Sequence, residues 1–147
     1  MPYGIPETDM SPGNRPSTFI VENVTRQRVV AARIRSANGS AARRRGLLDA
    51  TELDTNAGLW INPCEAVHTF GMQVSLDVVF LDADLRVRKI TAQIKPNRIS
   101  FCFTAESVLE ITAGGAAASG TECGDQLLFR PLRESVPVST VEIDDIR

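Results

Sequence analysis

Leu76-Asp77-Val78-Val79-Phe80-Leu81, followed by Asp82-Ala83-Asp84, is the stretch on which the fold turns. Six residues is a strand's length rather than a helix's, and every residue but Asp77 is apolar, so both faces read as dry and the strand as central. Alternation puts Leu76, Val78 and Phe80 on one face and Asp77, Val79 and Leu81 on the other. Asp82-Ala83-Asp84 then makes a turn, and Leu85–Ile94 alternates into a return strand.

Working outward, strand signals are dense. Leu59-Trp60-Ile61, Val67-His68-Thr69-Phe70, Ser100–Phe103, Val108–Ile111 and Gln126–Arg130 are short apolar runs bounded by turn residues. Residues 17–35 alternate β-branched and polar types, with Val30, Ala32 and Ile34 on the apolar face and Ala31, Arg33 and Arg35 opposite, up to the Asn38-Gly39 stop. Helix is confined to scraps. Ser40 caps a turn over 41–45, and the Ala-rich 114–120 forms another. The pattern predicts a mostly β fold, a compact antiparallel β-sandwich or small distorted barrel with one or two short helices. The 147 residues fit one domain, read as a Pro- and Gly-rich tail over 1–16, a β-rich body over 17–133 and an acidic segment over 134–147.

Charge constrains partners weakly. The net charge is -2, too small to demand an acidic or basic partner. Residues 26–45 hold seven arginines and no acid, against which the acidic C-terminal segment is expected to settle. The arginine run lacks stacking aromatics and any nucleic-acid motif, so no nucleic-acid partner is expected. No apolar run is long enough for a transmembrane helix. Met1–Arg15 lacks the apolar core of a signal peptide, which predicts a cytoplasmic protein unless an upstream leader has been removed, when it would be periplasmic or exported. Cys64, Cys102 and Cys123 have no paired spacing and read as free thiols.

Few residues carry chemistry. His68 is the sole histidine, and serves either as a general base or as a structural side chain. Cys64 and His68 would be a thiol–imidazole pair only on a sharply bent segment, since residues four apart on one strand are separated by about 13 Å. Asp77 needs donors if buried. A hairpin of 67–70 with 76–82 would set it opposite His68 or Thr69, or near the amides of Gly71–Ser75. That arrangement would be an acid–base pair or a bond that fixes register. Glu110, between Leu109 and Ile111, repeats the puzzle. Trp60, Phe70 and Met72 would line a ligand groove or belong to the core. With no C-x-x-C and no histidine pair, neither a metal nor a cofactor is expected.

Gly58-Leu59-Trp60-Ile61, Cys64-Glu65-Ala66-Val67-His68-Thr69-Phe70-Gly71-Met72 and Leu76–Asp82 stand in fixed order. Arg45-Gly46-Leu47-Leu48 precedes them. Lys95-Pro96, Val108-Leu109-Glu110 with Ala113-Gly114, and Gly124-Asp125 follow. From about Asn23 to Phe129 the chain resembles the bacterial and archaeal family called domain of unknown function 192. The resemblance implies a compact, mostly β domain and no established activity, and many relatives resemble exported proteins with a leader. Ser75 replaces a proline usual there. Leu85 replaces a usual hairpin glycine, so Asp84 or Leu85 must adopt a left-handed conformation.

These readings favour a non-catalytic binding or accessory module, acting on another protein or a small ligand through a patch of Trp60, His68, Thr69, Phe70, Met72, Asp77 and Glu110. The alternatives are a small hydrolase using His68 and Asp77, with or without Cys64, and a structural partner in an envelope or secretion assembly.

Overall fold

The computed structural model describes residues 18–37 and 56–132. Nine strands form there: β1 (Thr18–Asn23), β2 (Arg28–Ala37), β3 (Ala57–Ile61), β4 (Ala66–His68), β5 (Leu76–Leu81), β6 (Val87–Ile94), β7 (Ile99–Phe101), β8 (Ser107–Thr112) and β9 (Leu127–Pro131), with a single helical turn, α1 (Gly115–Ala118), before β9. The sequence places β5 to the residue and β3, β4 and β6 to β9 within a few positions. The helix expected at 40–46 and both terminal segments lie outside the described residues.

Seven strands build one sheet in the order β6-β5-β8-β3-β2-β1-β9, and β4 and β7 form a separate two-stranded sheet. The large sheet curls. At one end its two edges meet through an antiparallel bridge between Arg86 and Gln126, with Val87 N–H donating to Asp125 O at 2.9 Å and Leu127 N–H to Leu85 O at 3.0 Å. The mostly β, distorted-barrel expectation therefore holds. One pair departs from it: β2 and β3 are parallel.

Two apolar layers hold the fold. The inner layer, within the curl, gathers residues such as Phe19, Val21, Ile34, Trp60, Val79, Leu109 and Phe129. The outer layer lies between the convex side of the sheet and the small sheet; Leu59, Ile61, Leu76, Val78 and Phe80 meet Val67 and Met72 there. β5 is buried at every position because each of its faces feeds one layer, as its unbroken apolar composition requires.

Two local expectations need correction. The single alternating run expected from the sequence is, over 18–37, two strands and a turn, with Gln27 at φ 58°, and the faces of β2 are not simply alternate. The pairing slips between Phe19↔Ile34 and Val21↔Ala31; this irregularity brings Ala31 and Ile34 both into the inner layer while Ala32 is only half-buried. The hairpin of 67–70 with 76–82 does not form. β4 pairs with β7, whereas β5 pairs with β6 and β8. The Asp82 turn behaves as read. Asp82 Oδ1 accepts from the amides of Asp84 and Arg86 at 3.0 and 2.9 Å, and Leu85 takes the left-handed conformation at φ 64°.

Candidate functional site

Asp77 illustrates how the topology redistributes the expected residues. It lies opposite Ile111 on β8 and is 0 % exposed. Its partners are neither His68 nor Thr69 nor the Gly71–Ser75 amides. Oδ1 accepts from the Gln93 amide at 2.8 Å and Oδ2 from the Ala116 amide at 2.9 Å. Gln93 sits at φ 51°, where β6 is irregular between its pairings with Leu76 and Val78. One carboxylate thus satisfies an amide freed by the irregularity and another at the first turn of α1, where N–H groups lack helical partners.

Thr69 is equally committed. Its hydroxyl accepts from the Arg98 amide at 2.8 Å and donates to the Lys95 carbonyl at 2.7 Å, tying β4 to the turn before β7. Trp60 belongs to the inner layer, with its ring 4.4 Å from Phe129 and 5.5 Å from Phe19, centroid to centroid; its Nε1 has no partner. Met72 is buried in the outer layer, and Cys64 is half-buried against it. The Cys64 thiol donates to the Ala66 carbonyl at 3.1 Å. Cys64, Cys102 and Cys123 are thiols outside any disulfide.

Glu110 is on β8, opposite Leu59 and Val78, and so faces the outer apolar layer. It is 8 % exposed. Burial, with no compensating charge, pushes its carboxyl up to about 7.

Of the seven candidate patch residues, only His68 and Phe70 reach a common surface. Their rings stack at 5.1 Å between centroids, and His68 Nδ1 has no hydrogen-bond partner. They share it with residues the sequence reading did not assign. In β4 and β7 the pairs Ala66↔Phe101 and His68↔Ile99 flank the inward pair Val67↔Ser100. Ser100 is fixed below by a 2.7 Å hydroxyl bond to Thr91. The outward face therefore carries Ile99, 65 % exposed, and Phe101; Phe103, just beyond, is 80 % exposed. Phe101 and Phe103 lie 5.0 Å apart. Lys89 Nζ donates to the Phe101 carbonyl at 2.8 Å and lies 5.5 Å from its ring centroid. The legible signal was the period of two in Ile99, Phe101 and Phe103.

A second polar cluster joins the β1–β2 turn to the loop before β9. Asp125 Oδ2 accepts from Asn23 Nδ2 at 2.9 Å, Arg26 Nε at 3.0 Å and the Glu122 amide at 2.9 Å. Burial pushes the Asp125 carboxyl up, but these donors outweigh it and hold the group below the usual carboxylate range. Asn23 also donates to Thr121. The bonds of Asp125 Oδ2 all run within this cluster and join the β1–β2 turn to the loop before β9, which marks it as a clasp. Among the described residues no three His, Cys, Asp or Glu side chains are grouped to hold a metal ion, and no helix is long and apolar enough to cross a membrane.

The family model DUF192, described as "Uncharacterized ACR", matches residues 21–129. No curated protein matches the chain. Two crystal structures are similar. One is of a proposed transcription regulator from Sinorhizobium meliloti 1021, with a TM-score of 0.69 at 21% identity over 80% of this chain and 97% of that one. The other is of a protein of unknown function from Novosphingobium aromaticivorans DSM 12444, with a TM-score of 0.61 at 26% identity over 75% and 82% of the two chains.

Proposed function

From the premise that the chain belongs to the DUF192 family, whose description names no activity, we propose that it is a non-catalytic docking module and that the outward face of β4–β7 is its contact surface. The observation that carries this reading is the cluster of Phe70, Ile99, Phe101 and Phe103, all exposed on one small face. Isolated exposed apolar residues are ordinary, but a contiguous aromatic group rimmed by polar residues is the composition of an interface.

The hydrolase alternative gains no support from the side chains it needs. Asp77 is spent on two backbone amides on the inner side of the large sheet. His68 stacks on Phe70 in the small sheet. A base with no orienting partner is a poor catalyst.

The test pairs two measurements. On phenyl resin, dilute wild-type protein is expected to be retained, and Phe101→Ser/Phe103→Ser to flow through with an unchanged circular dichroism spectrum. Against a panel of ester, amide and phosphate substrates, wild type and His68→Asn are expected to be equally inert. Equal retention of both proteins on the resin, or turnover lost in His68→Asn, would overturn the reading.

A further inference from the structure

We infer that the occupant of the β4–β7 face is a second copy of this chain, docked face to face about a two-fold axis. This rests on the docking reading above and names its partner. The argument is charge complementarity. Because β4 and β7 are antiparallel, the face has two ends related through the central pair Val67↔Ser100. At one end Thr69 is bonded to Arg98, whose guanidinium is exposed and bonded only to the carbonyls of its own turn, at 3.2 and 3.5 Å. Exposed Lys95 lies in that same turn, its carbonyl bonded to Thr69. At the other end the Cys102 amide bonds Glu65 O, and the Cys64 amide bonds Glu106 O; both glutamates are exposed.

None of these four charges has an ion pair among the described residues. The apolar strip of Phe70, His68, Ile99, Phe101 and Phe103 lies between a basic end and an end where Glu65 and Glu106 outnumber Lys89, whose Nζ is held on the Phe101 carbonyl. A two-fold axis parallel to the face and across the strands turns each end onto its opposite. Lys95 and Arg98 of one copy then meet Glu65 and Glu106 of the other, twice over, while the apolar strips cover each other. An interface of this kind is isologous and closes on itself, so it stops at two copies. An anionic lipid surface fits less well, because Glu65 and Glu106 would face it.

The experiment is the oligomeric state over a hundredfold range of concentration, by light scattering after gel filtration and by sedimentation velocity. Wild type is expected to be a dimer that dissociates on dilution in the micromolar range, as a small interface does. Phe101→Ser/Phe103→Ser is expected to be a monomer throughout. Lys95→Glu/Arg98→Glu and Glu65→Lys/Glu106→Lys are each expected to weaken self-association by about tenfold or more, through like-charge repulsion. Mixed in equal amounts, these two charge variants are expected to form a heterodimer tighter than either homodimer, an outcome specific to the second-copy arrangement. A wild type that stays monomeric, a dimer indifferent to Phe101 and Phe103, or a mixture no tighter than its components would overturn the inference. A monomer still held on phenyl resin, or on phosphatidylglycerol vesicles, through Phe101 and Phe103 would overturn the second copy while leaving the docking reading standing.

Discussion

At the scale of the residue, Asp77 shows how much a buried carboxylate can be asked to do. Each oxygen accepts one backbone N–H, from Gln93 and from Ala116, and no water-exposed atom shares the load, since the residue is wholly buried. Asp77→Ala leaves two buried donors without acceptors, so a loss of about 2–5 kcal/mol is expected. Asn is a poor rescue. Its one oxygen can serve one amide, while its NH₂ turns donors toward the other N–H. Asp77→Asn should therefore lose most of what Asp77→Ala loses. Urea midpoints for the three proteins decide the matter. An Asp77→Asn within about 0.5 kcal/mol of wild type would mean that the two amides find other acceptors. The sequence declared that Asp77 must be satisfied, because an unpaired charge in a dry strand is costly. It did not reveal by whom. The donors are backbone groups sixteen and thirty-nine residues away, and a backbone amide carries no signature in the amino-acid string.

At the scale of the element, β3 threads between β2 and β8 with no room for a side chain at Gly58. A Cβ on Gly58 would run into the Glu110 carbonyl and lie 2.8 Å from Ile34 Cδ1. The first obstacle is backbone, so relief requires the β3–β8 pairing to open. Gly58→Ala is expected to destabilise by about 1–3 kcal/mol, with the largest rise in amide exchange at Leu59 and Leu109–Ile111. A variant as stable as wild type, with unchanged protection there, would show that the strands give way freely. The same scale explains what was legible. β5, β6 and β8 could be read because their apolar pattern is local. The partner of β4 could not. A short gap between β4 and β5 favours a hairpin, but the Thr69 hydroxyl and amide are committed to Lys95 and Arg98. Those bonds draw β4 to β7, off the large sheet. The same swap carried His68 and Phe70 to an outer face and left Trp60, Met72 and Asp77 in the interior, so a patch inferred from one continuous block was divided between two layers.

At the scale of the whole molecule, two buried carboxyls set opposite limits on stability. Asp125 belongs to the clasp that ties the β1–β2 turn to the loop before β9, beside the bridge that joins the sheet's edges. Its carboxyl is held below the usual range, so the folded state binds this proton less readily than the unfolded state. The stability it adds is present above about pH 4 and is lost as pH falls through the depressed value. Glu110 acts in the other direction. Its carboxyl is raised from 4.5 to about 7 by burial, so between those values the folded state holds a proton that the unfolded state has released. Stability falls as pH rises from about 4.5 to about 7 and then levels, by on the order of 3 kcal/mol. These two groups by themselves favour the folded state most on the acid side of neutrality. Denaturant midpoints measured from pH 3 to pH 9 should trace this asymmetric curve. Glu110→Gln, neutral at every pH, should abolish the fall between pH 5 and pH 7 and be the more stable protein at pH 8. It should leave the acid limb in place, because Asp125 is untouched. Asp125→Asn should lower the plateau and flatten the acid limb alone. A Glu110→Gln curve running parallel to wild type across pH 5–7 would mean that Glu110 ionises without cost in the outer layer. The apolar layer between the two sheets would then be open to water at β8.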